Sequence, residues 1–392
     1  SPFLVETHVE ETYTQVAGNN FKTRQFHNQN TQDETVTVNP STSVASTIFD
    51  SSGNFVDFVF DNSGKIHKLR SLNLQVDILN STDGALGIPC SDFLVERIEY
   101  FVGERHLATC HGISNFITQK SFQTYDERLS ISNMENLDAA TFAENKTLAT
   151  ATSKTFNVDI TGPLRSMGLF LPGLTQKLRV TVYFQDATTW AVSGTVDVTA
   201  SNVKVLVDHT KLNKKNYDSE MLIYREAGVR LRFTDTRYTK HSAALTASTE
   251  SNQRISNVSG LSSMLYIFAR DQTPTGSGLL TFKALNSLYL TDGSSNIVGG
   301  SSLDGEFLQH RAHRYLVSNL CSIQEIYLLP FCEDAQAVHV NAQNTGYHSV
   351  SENDVLYINP VATDATSQLE ILSINYNTLF IKSNTVIVEK SM

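Results

Sequence analysis

Several histidines and cysteines in the sequence could bind zinc, since these residues are its most frequent ligands. His310 and His313 are spaced as His-Arg-Ala-His, and Cys90 could join the adjacent pair Cys110 and His111. Neither group has a second ligand pair at the spacing of a zinc site. The sequence therefore predicts no metal site and no cofactor, and an exposed polar segment around His310 and His313. Reduced, mostly buried thiols are predicted at Cys90, Cys110, Cys321 and Cys332.

Side chains that could act as acid, base or nucleophile are present, but they do not form a catalytic motif. The chain has no Gly-x-Ser-x-Gly elbow. His111, Asp92 and a serine are the residue types of a catalytic triad, but no motif indicates that they form one. Asp57 and Glu96 stand in strand or turn patterns, and the Gly-Gly-Ser-Ser run that begins at Gly299 lacks the Lys-Ser/Thr of a phosphate-binding loop. We therefore predict no catalytic residues and no enzymatic activity.

Two other groups of residues could contact a ligand. The run from Asp292 to Asn296 could touch calcium, but it lacks the acidic ligand series and terminal Glu of a dedicated loop, so an ordinary β-turn is predicted. The single Trp190 and several tyrosines could stack on a sugar. The tyrosines concerned lie within strand patterns, which favours packing in a core or a sheet; they are Tyr183, Tyr266, Tyr327 and Tyr376.

Composition and charge exclude several classes of protein. The 392 residues include 30 Lys and Arg against 40 Asp and Glu, a net charge of −10, and the basic residues are scattered. A surface for direct, specific nucleic-acid binding is therefore not expected. Apolar runs such as 264–269 are far shorter than the roughly 20 residues of a membrane-spanning helix. The N-terminal residues show no secretory signal pattern. This length is typical of two domains.

Alternating apolar and polar residues predict a chain dominated by β-strands. The clearest case is 72–78, where Leu72, Leu74, Val76 and Ile78 alternate with polar residues. A Gly-Glu turn at Gly103 predicts a tight hairpin. Further strands are predicted at 55–60, 97–102, 178–184, 202–207, 229–233, 264–268, 325–331, 367–376, 377–381 and 384–388.

Three segments lack the strand pattern. Residues 1–48 are polar and indicate an N-terminal arm. The stretch at about 115–160 is predicted to be a long surface excursion with a short helix near 136–145. Between the halves, Tyr217, Met221 and Tyr224 lie at helical spacing before Gly228, which predicts a connecting helix over 216–227. The predicted organisation is an arm (1–48), a first sandwich (49–212), a helical connector (213–228) and a second sandwich (229–392).

The two halves also contain an internal repeat. Leu171-Pro172 in the first half corresponds to Leu329-Pro330 in the second, and each pair precedes an alternating strand, 178–184 and 369–376. Two copies of such a unit predict two β-sandwiches side by side.

The order of these features resembles the double-jelly-roll major capsid proteins of tailless membrane-containing phages, adenovirus and the large DNA viruses of eukaryotes. The resemblance extends over about residues 50–392. The features on which it is based are the hairpin 93–104, the turns 170–173 and 327–331, the connector helix 216–227 and the closing segment 376–384. It implies an all-β chain of two tandem eight-stranded jelly rolls joined by a short helical connector.

The resemblance further implies a virion protein, assembled in the host cell interior, that forms homotrimers. Three copies of a two-domain chain give a pseudo-hexagonal capsomer that tiles an icosahedral shell. Its partners would be neighbouring capsomers, penton or minor capsid proteins and, where the virus carries one, an internal membrane. The alternatives are a viral or extracellular β-sandwich binding protein, such as a spike, a vertex protein or a carbohydrate-binding module, and a hydrolase on a β-sandwich scaffold.

Overall fold

The structure is a computed structural model, and the residues it describes are 31–81, 84–123, 126–127, 129–130, 135, 148–191, 196–293, 295–299, 307, 325–361 and 367–390. Several predicted features lie outside these residues. They are the first thirty residues of the arm, the helix near 136–145, the segment with His310 and His313, and Cys321.

The first sandwich consists of two four-stranded antiparallel sheets. Sheet I has the strand order β1-β8-β3-β6 and sheet II the order β2-β7-β4-β5. Strands that follow each other along the chain mostly lie in opposite sheets, which is the jelly-roll arrangement. The strands are β1 (Thr31–Val38), β2 (Phe55–Phe60), β3 (Lys68–Asn80), β4 (Val95–Val102), β5 (Arg105–His111), β6 (Thr152–Asp159), β7 (Leu178–Phe184) and β8 (Val198–Leu212).

The alternating pattern explains which side of each strand is buried. In β3, Leu72, Leu74, Val76 and Ile78 are fully buried, and the polar residues between them lie on the outward face. Successive side chains of a strand point to opposite faces, so this alternation gives sheet I one core face and one outward face. The prediction for 72–78 is confirmed.

The second sandwich repeats the strand order of the first. Sheet III contains β9-β17-β11-β14, with β15 also paired to β11 and β18 to β17; sheet IV has the order β10-β16-β12-β13. The strands are β9 (Val229–Ala244), β10 (Ser251–Arg254), β11 (Gly260–Asp271), β12 (Leu285–Thr291), β13 (Asn296–Gly299), β14 (Tyr327–Pro330), β15 (His348–Val350), β16 (Val355–Pro360), β17 (Ser367–Lys382) and β18 (Thr385–Lys390).

The duplication is therefore present, with two differences from the prediction. Ten strands are described in the second sandwich instead of eight. The two additional strands are β15, which pairs with β11 as β14 does, and β18, which adds an edge. The predicted correspondence of the Leu-Pro pairs is wrong. The repeat predicted from the sequence treats β7 and β17 as equivalent strands. In the observed strand order, the equivalent of β7 is β16, and the equivalent of β17 is β8. Leu171 and Pro172 lie in a 3-10 turn, but Leu329 and Pro330 lie within β14.

A helix connects the sandwiches as expected. Helix α2 (Lys214–Leu222) begins two residues earlier than predicted, because Oδ1 of Asn213 caps it by accepting a hydrogen bond from the Asn216 backbone N–H at 2.9 Å. One turn of π-helix (Ile223–Ala227) follows and ends at Gly228, whose φ of +86° favours glycine.

Two predicted segments without strand pattern need correction. The sequence places residues 31–48 in an arm, whereas residues 31–38 form β1 and pair with β8. Ile48 and Phe49 are buried in the first core, so the predicted end of the arm is too late. The sequence also places 115–160 on the surface. Instead, α1 (Gly112–Lys120) is almost entirely buried and β6 pairs with β3.

A third short helix, α3 (Ala335–Asn341), lies between β14 and β15. Within the described part of the chain, no helix has the length and apolar composition needed to cross a membrane.

Candidate functional site at the joint between the sandwiches

The interface between the two sandwiches, here called the joint, is formed on one side by sheet III. Residues Ser262–Arg270 of β11 and Ser367–Asn375 of β17 are buried on both faces of this sheet. Leu265, Ile267 and Leu369 point into the core of the second sandwich. The alternate residues Met264, Tyr266, Phe268, Leu372 and Ile374 belong to the apolar cluster of the first sandwich. The joint is therefore a continuation of the first core.

The first sandwich meets sheet III with β5, α1 and the 3-10 turn Gly162–Ser166. The Thr236 hydroxyl on β9 donates to the carbonyl oxygen of Thr109 on β5 at 3.3 Å. Ser166 Oγ donates to the carbonyl oxygen of Arg232 at 3.1 Å. Polar links therefore border the apolar contact, as they do in stable protein interfaces.

Two ring contacts also cross the joint. The His111 imidazole lies 4.9 Å from the ring of Tyr238, and the His339 imidazole stacks on Phe122 at 4.3 Å and 13°. Burial lowers the pKa of His111 and lowers that of His339 to about 3. Both imidazoles are therefore neutral at neutral pH, as an apolar interface favours.

A small cavity lies in the joint, with about 40 Å³ open to water-sized molecules. This is room for at least one ordered water. Its walls include Cys110, Gln119, Phe122, Met264, Tyr266 and His339. Burial raises the pKa of the Cys110 thiol to about 12, so the thiol is protonated and unsuited to nucleophilic attack. With a neutral His339 beside it, the cavity supports packing and hydration rather than catalysis.

A buried ionic cluster holds α1 in place beneath the joint. Lys120 Nζ contacts a carboxylate oxygen of Glu135 and lies 3.7 Å from Oδ2 of Asp92. Asn115 Nδ2 donates to Oδ1 of Asp92 at 2.6 Å. Burial raises the pKa of Glu135 to about 7, although Lys120 opposes this shift. Because a buried charge needs a partner, this cluster fixes α1 against the 3-10 turn that carries Asp92.

Asp92 and His111, which the sequence offered for a triad, have different side-chain partners in the structure. Asp92 is bound by Asn115 and Cys90, whereas His111 packs against Tyr238. Among the described residues, no group of three His, Cys, Asp or Glu side chains could hold a metal ion. The three described cysteines, Cys90, Cys110 and Cys332, are free and buried, as predicted.

The other candidates have structural roles. Asp292 forms a turn, because its N–H donates to Ser295 O and its Oδ1 accepts from the Ser295 N–H, both at 3.1 Å. Trp190 is fully buried and donates from Nε1 to Phe93 O at 3.2 Å. Tyr266 and Tyr327 are buried, whereas Tyr183 and Tyr376 are half-buried in strands. Asp57 accepts from Thr181 in sheet II, and Glu96 pairs with Arg97.

The polar residues of the joint were not predicted from the sequence. Arg270 and Glu370 form a buried pair on sheet III, and Lys120 forms another on α1. The sequence does contain an indication of the first pair. Arg270 directly follows the apolar run 264–269, and Glu370 lies within the largely apolar strand 367–376. A charge within a strand buried on both faces predicts a partner on a neighbouring strand.

The whole chain resembles known proteins in structure but not in sequence. No family model and no curated protein matches the sequence. Solved structures do match. VP54 of the virus PBCV-1, as fitted into a reconstruction of the virophage Sputnik, has a TM-score of 0.72 at 14% identity, covering 92% of this chain and 96% of its own.

Two further solved structures show the same likeness. The Faustovirus major capsid protein has a TM-score of 0.60 at 10% identity, covering 90% of each chain. The major capsid protein of Sulfolobus turreted icosahedral virus has a TM-score of 0.54 at 14% identity, covering 88% of this chain and 96% of its own. The expected fold is thereby confirmed as a double jelly roll over about nine-tenths of the chain.

Proposed function

We propose that this double-jelly-roll chain is the major capsid protein of an icosahedral virus, a building block of a protein shell and not an enzyme. The observation that supports this most directly is the joint, where sheet III is buried on both faces and packs on the first sandwich. Contacts between the tiles of a shell must be held at fixed angles. A covalent pair of similar domains with an extensively buried interface meets that requirement.

The finer part of the proposal concerns assembly. Three copies of a chain with two similar jelly rolls place six similar domains around a threefold axis, which makes a pseudo-hexagonal tile. The trimer would contact neighbouring capsomers, penton or minor capsid proteins and, where the virus has one, an internal membrane. The protein would act in the virion, after assembly in the host cell interior. The net charge of −10 argues against direct genome binding.

Analytical ultracentrifugation of the purified protein, followed by negative-stain electron microscopy, tests the proposal. We expect a species with the mass of three chains and particles with a hexagonal outline. A protein that stays monomeric at every concentration would contradict the capsomer. A glycan array separates the alternative, since reproducible sugar binding by a monomer or dimer would favour a β-sandwich binding protein.

A further inference from the structure

Two buried imidazoles lie side by side in the first sandwich, at the end of sheet I from which the connector starts. His67 directly precedes β3 and His209 lies near the end of β8, and their ring centroids are 6.2 Å apart. His209 is fully buried and His67 is 7% exposed. The groups around them inside the protein, rather than bulk water, therefore decide whether these rings carry a charge.

Hydrogen bonds fix the position of the proton on each ring. Nδ1 of His67 accepts from the Leu212 backbone N–H at 2.8 Å, and Nδ1 of His209 accepts from the His67 backbone N–H at 3.2 Å. A ring nitrogen that accepts carries no proton, so each neutral ring holds its proton on Nε2. Nε2 of His67 donates to the carbonyl oxygen of Gly64 at 3.2 Å. Nε2 of His209 has no hydrogen-bond partner among the described residues and lies 3.8 Å from Oε2 of Glu34.

A second proton can enter each ring only at Nδ1, because Nε2 already holds one. Nδ1 would then be a donor that faces a backbone donor. Protonation of His67 therefore breaks its bond to Leu212, and protonation of His209 breaks its bond to His67. These two bonds tie the end of β8, and with it the start of the connector, to the start of β3.

The charged groups around the pair do not favour a second proton. Lys211 pairs with Glu34 at 3.0 Å, and Lys68 pairs with Glu220 of α2 at 2.5 Å, so these two carboxylates already have cationic partners. Burial lowers the pKa of both His67 and His209, and Lys211 lowers it further, whereas Glu34 opposes the shift. The titratable groups that face the pair come from β1, β3, β8 and α2; they are Asp33, Glu34, Lys68, Asp208, Lys211, Tyr217 and Glu220.

We propose that His67 and His209 form an acid-sensitive clasp, which holds the end of β8 and the connector to β3 at neutral pH and opens when the two rings are protonated. In the open form the imidazoles reach water, where histidine binds a proton near pH 6.5. The closed form binds fewer protons, so acid favours opening below about pH 6.5 and neutral pH favours closure. The clasp belongs to the single chain; only its use as an acid-sensitive point of a shell rests on the proposed function.

Hydrogen exchange of the purified full chain, measured by mass spectrometry at pH 5 and pH 7.5, tests the clasp. Labelling times are scaled to the pH dependence of chemical exchange, so that the remaining difference reports opening of the structure. We expect peptides that contain Leu212 and His67 to exchange on the order of tenfold faster at pH 5, because two hydrogen bonds are lost. Peptides from β7 in sheet II should exchange equally at both pH values.

The double variant His67→Asn, His209→Asn should remove this response. Asparagine places Oδ1 near the position of Nδ1, so it can accept the same backbone N–H, but it does not bind a proton in this range. His106→Asn is the matched control. His106 is half-buried on β5, burial lowers its pKa as well, and its Nε2 lies 2.9 Å from Oγ1 of Thr109 in sheet II. This variant should keep the tenfold response at Leu212.

The measured quantity is the ratio of the exchange rates at the two pH values within each variant, so a variant that is less stable at both still reports on the clasp. Equal exchange of the unsubstituted protein at pH 5 and pH 7.5 around Leu212 would overturn the clasp. A full response in the double variant, or its loss in His106→Asn, would also overturn it. Sedimentation of the same samples tests the capsomer separately, since a monomer that shows the tenfold response would contradict the capsomer and leave the clasp in place.

Discussion

Arg270 on β11 donates a hydrogen bond from Nε to Oε1 of Glu370 on β17 at 2.8 Å, in the face of sheet III that forms the joint. Arg270 is 6% exposed and Glu370 is fully buried. The Tyr238 hydroxyl donates to Oε2 of Glu370 at 2.7 Å, and Nη1 of Arg270 donates to the carbonyl oxygen of Leu279 at 3.0 Å. These bonds link three strands of sheet III beneath the first sandwich.

Removal of one partner of this pair should be costly. Glu370→Ala leaves the Arg270 guanidinium buried without its carboxylate, and we expect a loss of about 3–5 kcal/mol in the free energy of unfolding, measured by urea denaturation. Glu389→Ala is the control, because its pair with Arg230 is largely solvent-exposed and such pairs contribute about 0–1 kcal/mol. Equal losses in the two variants would show that burial does not govern the Arg270–Glu370 pair.

Removal of both charges should cost much less than removal of one. In the double variant Arg270→Met, Glu370→Leu no uncompensated charge is left, and well-packed apolar replacements of buried ion pairs are often neutral. We expect the double variant to unfold at a higher urea concentration than Glu370→Ala. A double variant less stable than Glu370→Ala would indicate that the hydrogen bonds to Tyr238 and Leu279 matter more than the charges.

Gly173 controls how closely the connector packs on the first sandwich. A Cβ at this position would lie 2.6 Å from Cγ of Tyr224, whose hydroxyl accepts a hydrogen bond from the Phe170 N–H at 3.1 Å. Gly173→Ala must therefore displace the buried Tyr224 ring, and we expect about 1–3 kcal/mol of destabilisation in thermal or urea unfolding. Gly278→Ala is the matched control, because a Cβ there meets nothing within 4 Å. It should melt within a degree or two of the unsubstituted protein.

Local patterns in the sequence were enough to predict the fold class. Alternation at Leu72, Leu74 and Val76 fixes which face of β3 is buried, and the spacing of Tyr217, Met221 and Tyr224 fixes the connector helix. The helix α1 could not be found in this way. Its apolar residues Ile113, Phe116 and Ile117 have helical spacing, but this pattern covers only nine residues and is too short to distinguish a helix from a loop. Its polar side, with Asn115 and Gln119, is buried as well, which the sequence does not indicate. The joint could not be predicted either. A strand that is buried on both faces shows no alternation of apolar and polar residues, so its sequence does not indicate which face contacts the core of its own sandwich and which contacts the other sandwich.

The three described cysteines should be chemically inert in the folded protein. Burial raises the pKa of Cys110 to about 12 and that of Cys332 to about 11, and it raises that of Cys90 as well. Since the thiolate is the reactive form, iodoacetamide at pH 8 should leave all three unmodified in peptide mass maps. Unfolding in urea should make them react, which is the control. Rapid modification of Cys110 in the native protein would show that the joint opens.

Asp235 makes stability depend on pH. Its carboxyl is 5% exposed at the edge of the joint, where Asn377 Nδ2 donates to it at 3.4 Å. Burial raises its pKa from 3.8 to about 6, although Lys390 and Arg237 oppose the shift. Between these two values the folded state binds more protons than the unfolded state. The contribution of Asp235 to stability is therefore complete below about pH 4 and is lost as the pH rises through about 6.

Asp235→Asn should remove this dependence, because an amide keeps the shape of the protonated acid and cannot ionise. We expect the variant to match the unsubstituted protein at pH 4 and to exceed it at pH 8, by on the order of 2 kcal/mol in urea unfolding. Asp61→Asn, at an exposed carboxyl, is the control and should not become more stable at pH 8. If Asp235→Asn were less stable than the unsubstituted protein at pH 8, the ionised carboxylate would be stabilised by Arg237 and Lys390 more than burial penalises it.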